Sequence, residues 1–134
     1  MVNQNEITLA GFVVCSVKMP LPLLTRHFVE KKLSAYCQQK VPAHILHQVR
    51  LTFVVDGSTV TLIEARHTHA QPGTWVQRPI ARFLFTAETA CWTLYSPHFR
   101  AKDAWRIYPD AKPVKAIDTL LKVVDEDPHG LFWG

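Results

Sequence analysis

The dipeptide Asp56-Gly57, set between two runs of alternating residues, constrains this chain more than any other feature. Val49, Leu51, Phe53 and Val55 alternate with Arg50, Thr52 and Val54, the period of two expected of a half-buried strand. Thr59 to Arg66 is a second run, rich in β-branched residues. An Asp-Gly between such runs is a strong local hairpin signal, and a type I′ turn there requires φ > 0 at both residues. A second hairpin is expected from Ile80–Phe85 and Cys91–Tyr95, joined across Thr86–Ala90, with Trp105–Tyr108 as a short fifth strand. Residues 67–79 lack a period and hold Pro72, Gly73 and Pro79, so they read as a loop, as do residues 98–103.

Helical spacing brackets these strands. Between Leu23 and Gln39, Leu24, Phe28, Val29, Leu33, Tyr36 and Cys37 fall on one stripe at three- and four-residue intervals. Pro22 suits the first turn, and Val41-Pro42 ends the helix because a residue before proline is pushed out of the α region. Ala43 to His47 reads as a short helical turn. Near the C-terminus, Val114, Ile117, Leu121 and Val124 give a second apolar stripe after Pro113, ended by Asp125-Glu126-Asp127-Pro128. Acidic residues at a helix C-terminus oppose its dipole, so a turn made by the Asp127 side chain is expected to offset them. The ending Leu131-Phe132-Trp133 is expected to dock on the core rather than remain an exposed apolar patch.

The pattern predicts an α+β fold. A mostly antiparallel sheet of four or five strands carries the N-terminal and C-terminal helices on one face, with the strand order open. Residues 1–22 read as an N-terminal arm or extension and 23–134 as one domain. The 134 residues suffice for one core. Cys15, Cys37 and Cys91 are odd in number and widely spaced, which argues against a secreted disulfide framework and for a reducing, cytoplasmic compartment. The apolar run Ile7 to Val17 is too short to span a bilayer, and no basic residue precedes it as in a signal peptide. It reads as a strand or arm that would join two copies of the chain by strand addition, while Met19 offers a later start. From Arg26 to Tyr108 there are eleven Lys/Arg against five Asp/Glu; from Pro109 onward there are three against five. A basic middle of this kind suits an anionic partner, and equally an ordinary solvated face.

From about Leu23 to Gly134 the chain resembles a bacterial family of short proteins of unknown function, DUF3024. The resemblance rests on Glu30-Lys31-Lys32-Leu33 with Tyr36-Cys37, Val49-Arg50-Leu51, Leu62-Ile63-Glu64-Ala65-Arg66 and Trp75. It continues through Pro79-Ile80-Ala81-Arg82-Phe83, Trp92-Thr93-Leu94-Tyr95, Trp105-Arg106-Ile107-Tyr108 and the ending Asp125 to Gly134. The family tends to have an aromatic residue where Ser96 stands, and residues 1–20 have no counterpart in it. The resemblance implies domain limits and an intracellular bacterial setting. It implies no activity.

Chemistry must therefore come from the residues. Trp75, Arg78, Arg82, Trp92, Tyr95, Arg100, Trp105, Arg106 and Tyr108 cluster on the second half of the sheet and its loops. Aromatic faces stack bases and guanidinium groups grip phosphates, a mixture suited to single-stranded nucleic acid. Alternation predicts one face of Phe, Trp and Ile on the helices and another of Arg, Thr and Tyr facing out. On that face Arg82, Arg100 and Arg106 would contact phosphates, and Tyr95, Tyr108 or Trp75 would stack. The plain alternative has the tryptophans in the core and the arginines merely solvated. A second cluster is Glu64-x-Arg66-His67-x-His69. Glu64 and Arg66 share a strand face as a polar pair, and His67 with His69 has the spacing of two metal ligands, a third coming from His98, Asp103 or His44. A small metal-dependent hydrolase or nuclease is the corresponding enzyme reading. His44 and His47 form a weaker pair. No glycine-rich phosphate loop, Gly-x-Ser-x-Gly elbow or Cys-x-x-Cys is present, so no cofactor is implied and a non-catalytic binding module, for nucleic acid or a protein, ranks first.

Overall fold

Two helices pack on one face of a five-stranded antiparallel meander in the computed structural model, which describes residues 20–68, 73–98 and 104–133. Helix α1 spans Leu23–Lys40 and leads through a 3-10 turn, Ala43–Ile45, into β1 (Val49–Asp56). Then follow β2 (Thr59–His67), β3 (Trp75–Thr86), β4 (Cys91–Pro97), β5 (Trp105–Ile107) and α2 (Ile117–Glu126). The strands lie in sequence order, β1-β2-β3-β4-β5. Of the expected arm at residues 1–22, residues 1–19, with the apolar run Ile7 to Val17, Cys15 and the later start at Met19, lie outside the described residues. Among the described residues no helix is long and apolar enough to cross a membrane.

The first hairpin forms with a different turn from the one expected. Asp56 is the last residue of β1 and pairs with Thr59, so Gly57 and Ser58 are the central residues. Gly57 has φ +60°, and Ser58 is not among the positive-φ residues, which is the type II′ pattern with glycine first. The Thr59 hydroxyl donates to the Asp56 carbonyl at 2.7 Å and tightens it. Gly57→Val places a β-branched side chain at φ > 0, and a thermal or denaturant melt should show a loss of about 1–3 kcal/mol.

Strand β3 begins at Trp75, well inside the stretch expected to be a loop. Pro79 cannot donate to a ladder, which is why the sequence reads as a break there. The chain resolves this with a register shift: Leu62 faces Ala81 while Ile63 faces Pro79, so Ile80 is the extra residue of a bulge. Helix α2 also begins later than its spacing suggests. Val114 instead forms an isolated bridge with Trp92, its N–H donating at 3.0 Å and its carbonyl accepting at 2.7 Å, along the edge of β4.

The core lies between helices and sheet. Val29 and Leu33 of α1, and Ile117, Leu120, Leu121 and Val124 of α2, meet Val60, Leu62, Phe83, Trp92 and Leu94. Each fully buried aliphatic side chain contributes roughly 1.5–3 kcal/mol. The stripe of α1 is narrower than its spacing suggests, because Leu24 is 82% and Phe28 58% exposed. The tail docks as expected. Asp127, at φ +44°, caps α2, and its carboxylate accepts the backbone N–H groups of Leu131, Phe132 and Trp133 at 2.8, 3.2 and 2.9 Å. Phe132 is buried, and the Trp133 indole N–H donates to the Val124 carbonyl at 2.9 Å.

Candidate functional site

Strand alternation and register divide the candidate residues between the two faces of the sheet. On the face away from the helices lie Arg50, Thr52 and Val54 of β1 and Thr61, Ile63, Ala65 and His67 of β2. Trp75, Gln77, Arg82 and Leu84 of β3, Thr93 and Tyr95 of β4, and Trp105 and Ile107 of β5 share it. Of these only Ala65 is buried.

Two arginine–tryptophan stacks stand on this outer face. The Arg50 guanidinium lies 4.1 Å from the Trp75 ring centre, reaching over the small Ala65. The Arg82 guanidinium lies 4.4 Å from the Trp105 ring centre, and its Nε donates to the Thr61 hydroxyl at 3.1 Å. Tyr95 is the cross-strand partner of Arg82 on one side and of Ile107 on the other. Trp75 and Arg82 are separated along β3 by roughly 20 Å at the usual strand rise. Among the described strand residues, register brings a single carboxylate to this face, Asp56 at its corner. Each guanidinium is thus held over an indole, with Arg50 exposed and Arg82 half-buried at the surface of the sheet.

The last strand reverses one expectation. Tyr95 pairs with Ile107 and Ser96 with Arg106, so Trp105 and Ile107 take the outer face and Arg106 and Tyr108 the inner one. Tyr108 is 2% exposed, and its ring packs against Phe132 at 5.3 Å between centres. Burial, and then the carboxylates of Asp110 and Asp127, push its phenol above the ordinary value. Tyr108 therefore cannot stack a base, and Arg106, though exposed, lies on the other side of the sheet from Arg82. The reversal has a packing cause: the tail needs an aromatic partner at the sheet edge, and Tyr108 turns inward to meet Phe132. Arg100 lies outside the described residues. Arg50 and Trp105 replace these residues. The alternation of β1 already held the signal for Arg50; nothing local distinguishes Trp105 from Tyr108.

The Glu64 cluster is split: Glu64 and Arg66 sit on the inner face, and His67 on the outer one. Glu64 is 5% exposed, and its carboxylate accepts from Arg66 Nε at 3.0 Å, Arg66 Nη2 at 3.2 Å and Arg78 Nη2 at 3.4 Å. The hydrogen bond and charge of Glu64 hold the Arg66 guanidinium above its usual pKa. Arg78 also donates to the Trp133 carbonyl at 3.3 Å, so the node ties β2, β3 and the tail. With two guanidiniums donating to it, the Glu64 carboxylate is engaged in a structural ion-pair node. His67 Nε2 accepts the Gly73 N–H at 2.9 Å, and the ring lies edge-on to Trp75, which removes one ring nitrogen from ligation. His69 and Asp103 lie outside the described residues. Among the described residues no group of three or more His, Cys, Asp or Glu side chains could hold a metal ion. Half-burial pushes the Cys37 thiol up to about 11, which keeps it protonated and unreactive at neutral pH.

A family model described as a domain of unknown function, DUF3024, matches residues 21–134. No curated protein matches the chain, and no solved structure does.

Proposed function

The chain belongs to the DUF3024 family, whose description carries no activity, and we propose that it is a non-catalytic module that binds single-stranded nucleic acid on its outer sheet face. One observation carries the reading: two guanidiniums, each stacked on an indole, stand on a solvent-facing sheet with Tyr95 beside the second. Sheet-borne aromatics accept unstacked bases, and arginine forks grip the phosphates between them. A flat sheet offers single strands what it denies to duplexes, whose bases are already stacked. Among the described strand residues Asp56 is the one carboxylate on this face, which lets its positive charge act on a polyanion.

The reading is tested by fluorescence anisotropy with labelled single-stranded DNA and RNA oligonucleotides at low salt. Both should bind, and unlabelled duplex should compete weakly. Base–aromatic stacking is worth about 1–3 kcal/mol per base, so Tyr95→Ala should weaken binding on the order of tenfold. Absence of binding at low salt, where non-specific electrostatics are strongest, would overturn the proposal.

A further inference from the structure

The sheet ends differently on its two sides. Strand β5 has three residues, and beyond it the Val114 bridge occupies part of the β4 edge. Strand β1 has eight residues, and among the described residues its one strand neighbour is β2. Native edges are usually blunted by proline, lysine, a bulge or shortness, and β1, Val-Arg-Leu-Thr-Phe-Val-Val-Asp, has none of these.

Hydrogen-bond parity identifies the outward groups. The His67 N–H donates to the Gln48 carbonyl at 2.9 Å, so the even-numbered residues of this segment bond to β2. The N–H and C=O groups of Val49, Leu51, Phe53 and Val55 therefore point away from the sheet. Their side chains face the core but are only partly buried, whereas Val60 and Leu62, their neighbours on β2, are fully buried. Beside this edge runs a groove of about 790 Å³ lined by Cys37, Val41, Leu46 and Leu51 among others, with Leu46 46% exposed.

We propose that β1 is a homodimer interface, in which the β1 strands of two copies pair antiparallel about a two-fold axis at Phe53 and continue the sheet across both. In that register Phe53 faces the partner's Phe53 and Leu51 faces the partner's Val55, all with outward-pointing backbone groups. On the outer face Thr52 faces the partner's Val54, and Arg50 faces the partner's Asp56. The charges are thus complementary at both ends of an isologous contact. Shifting the axis by one residue to Thr52 places Arg50 opposite the partner's Val54 and loses this match. The contact shares Arg50 with the face proposed for nucleic acid, but its test changes Thr52 and Val54 and reads mass, so the two proposals fail separately.

The test reads molar mass by light scattering and sedimentation on the full chain, with a thermal melt for each variant as a folding control. Wild type should have twice the mass of one chain. Thr52→Lys with Val54→Lys alters two exposed side chains and opposes like charges twice, so the mass should fall to that of one chain with the fold intact. Thr52→Lys with Val54→Glu opposes unlike charges in the proposed register and should remain dimeric. With the axis at Thr52, the same pair of changes would oppose lysine to lysine. A monomeric wild type, a dimeric double-lysine variant or a monomeric Lys/Glu variant would each overturn the proposal.

Discussion

A chain shortened to end at Gly130 should melt more than about 10 °C below the full chain, or fail to fold. Deleting residues 131–134 removes Phe132, which is 2% exposed and stacked on Tyr108. Burial of one such side chain contributes roughly 1.5–3 kcal/mol. The deletion also takes three N–H donors from the Asp127 carboxylate, the Trp133 indole bond to Val124 and the carbonyl that Arg78 holds. Hydrogen bonds to a charged group are worth about 1.5–3 kcal/mol. Together these losses approach the lower end of the stability of an ordinary domain, about 5–15 kcal/mol. Asp127→Ala isolates the capping part. It should cost about 2–3 kcal/mol, and Asp127→Asn less, because asparagine tolerates φ > 0 and retains one acceptor oxygen. A truncated protein that melts with the full chain would show that the tail is not part of the core.

Much of this fold was legible in the sequence because local signals agreed with one another. The alternation of Val49 to Val55, the glycine after Asp56, the proline after Val41 and the acidic stop before Pro128 each mark an element that forms. The misreadings share a cause: a local rule was overridden by a partner distant in sequence. Pro79 reads as a strand breaker, yet a bulge opposite Ile63 admits it. Val114 has the spacing of α2 but finds its hydrogen bonds on Trp92. Leu24 and Phe28 share the helical stripe of Val29, but the core has no place for them. The candidate site followed the same pattern. Arg82 and Tyr95 lie on the expected face because the alternation of β3 and β4 is unbroken. In the three-residue β5, which residue turns inward is decided by Phe132 of the docked tail.

The second large effect concerns the outer face, and salt dependence reads it most directly. Neutralising phosphates releases counterions, so the logarithm of affinity for a single strand falls linearly with the logarithm of salt, by about 0.7 for each phosphate contact. Arg50 and Arg82 carry the two stacked guanidiniums, and neither side chain belongs to the core. Arg50→Gln with Arg82→Gln leaves both indoles in place and removes both charges. Arg26→Gln, on the exposed side of α1 beside Glu30, is the control of equal chemistry. The decisive measurement is the affinity of wild type, the double variant and the control for one labelled single-stranded oligonucleotide across a salt series. The double variant should bind at least about tenfold more weakly at low salt, with a slope shallower by roughly 1.4 for two lost contacts, while the control matches wild type. A double variant with the wild-type slope, or a wild type that does not bind at low salt, would contradict binding through the outer face.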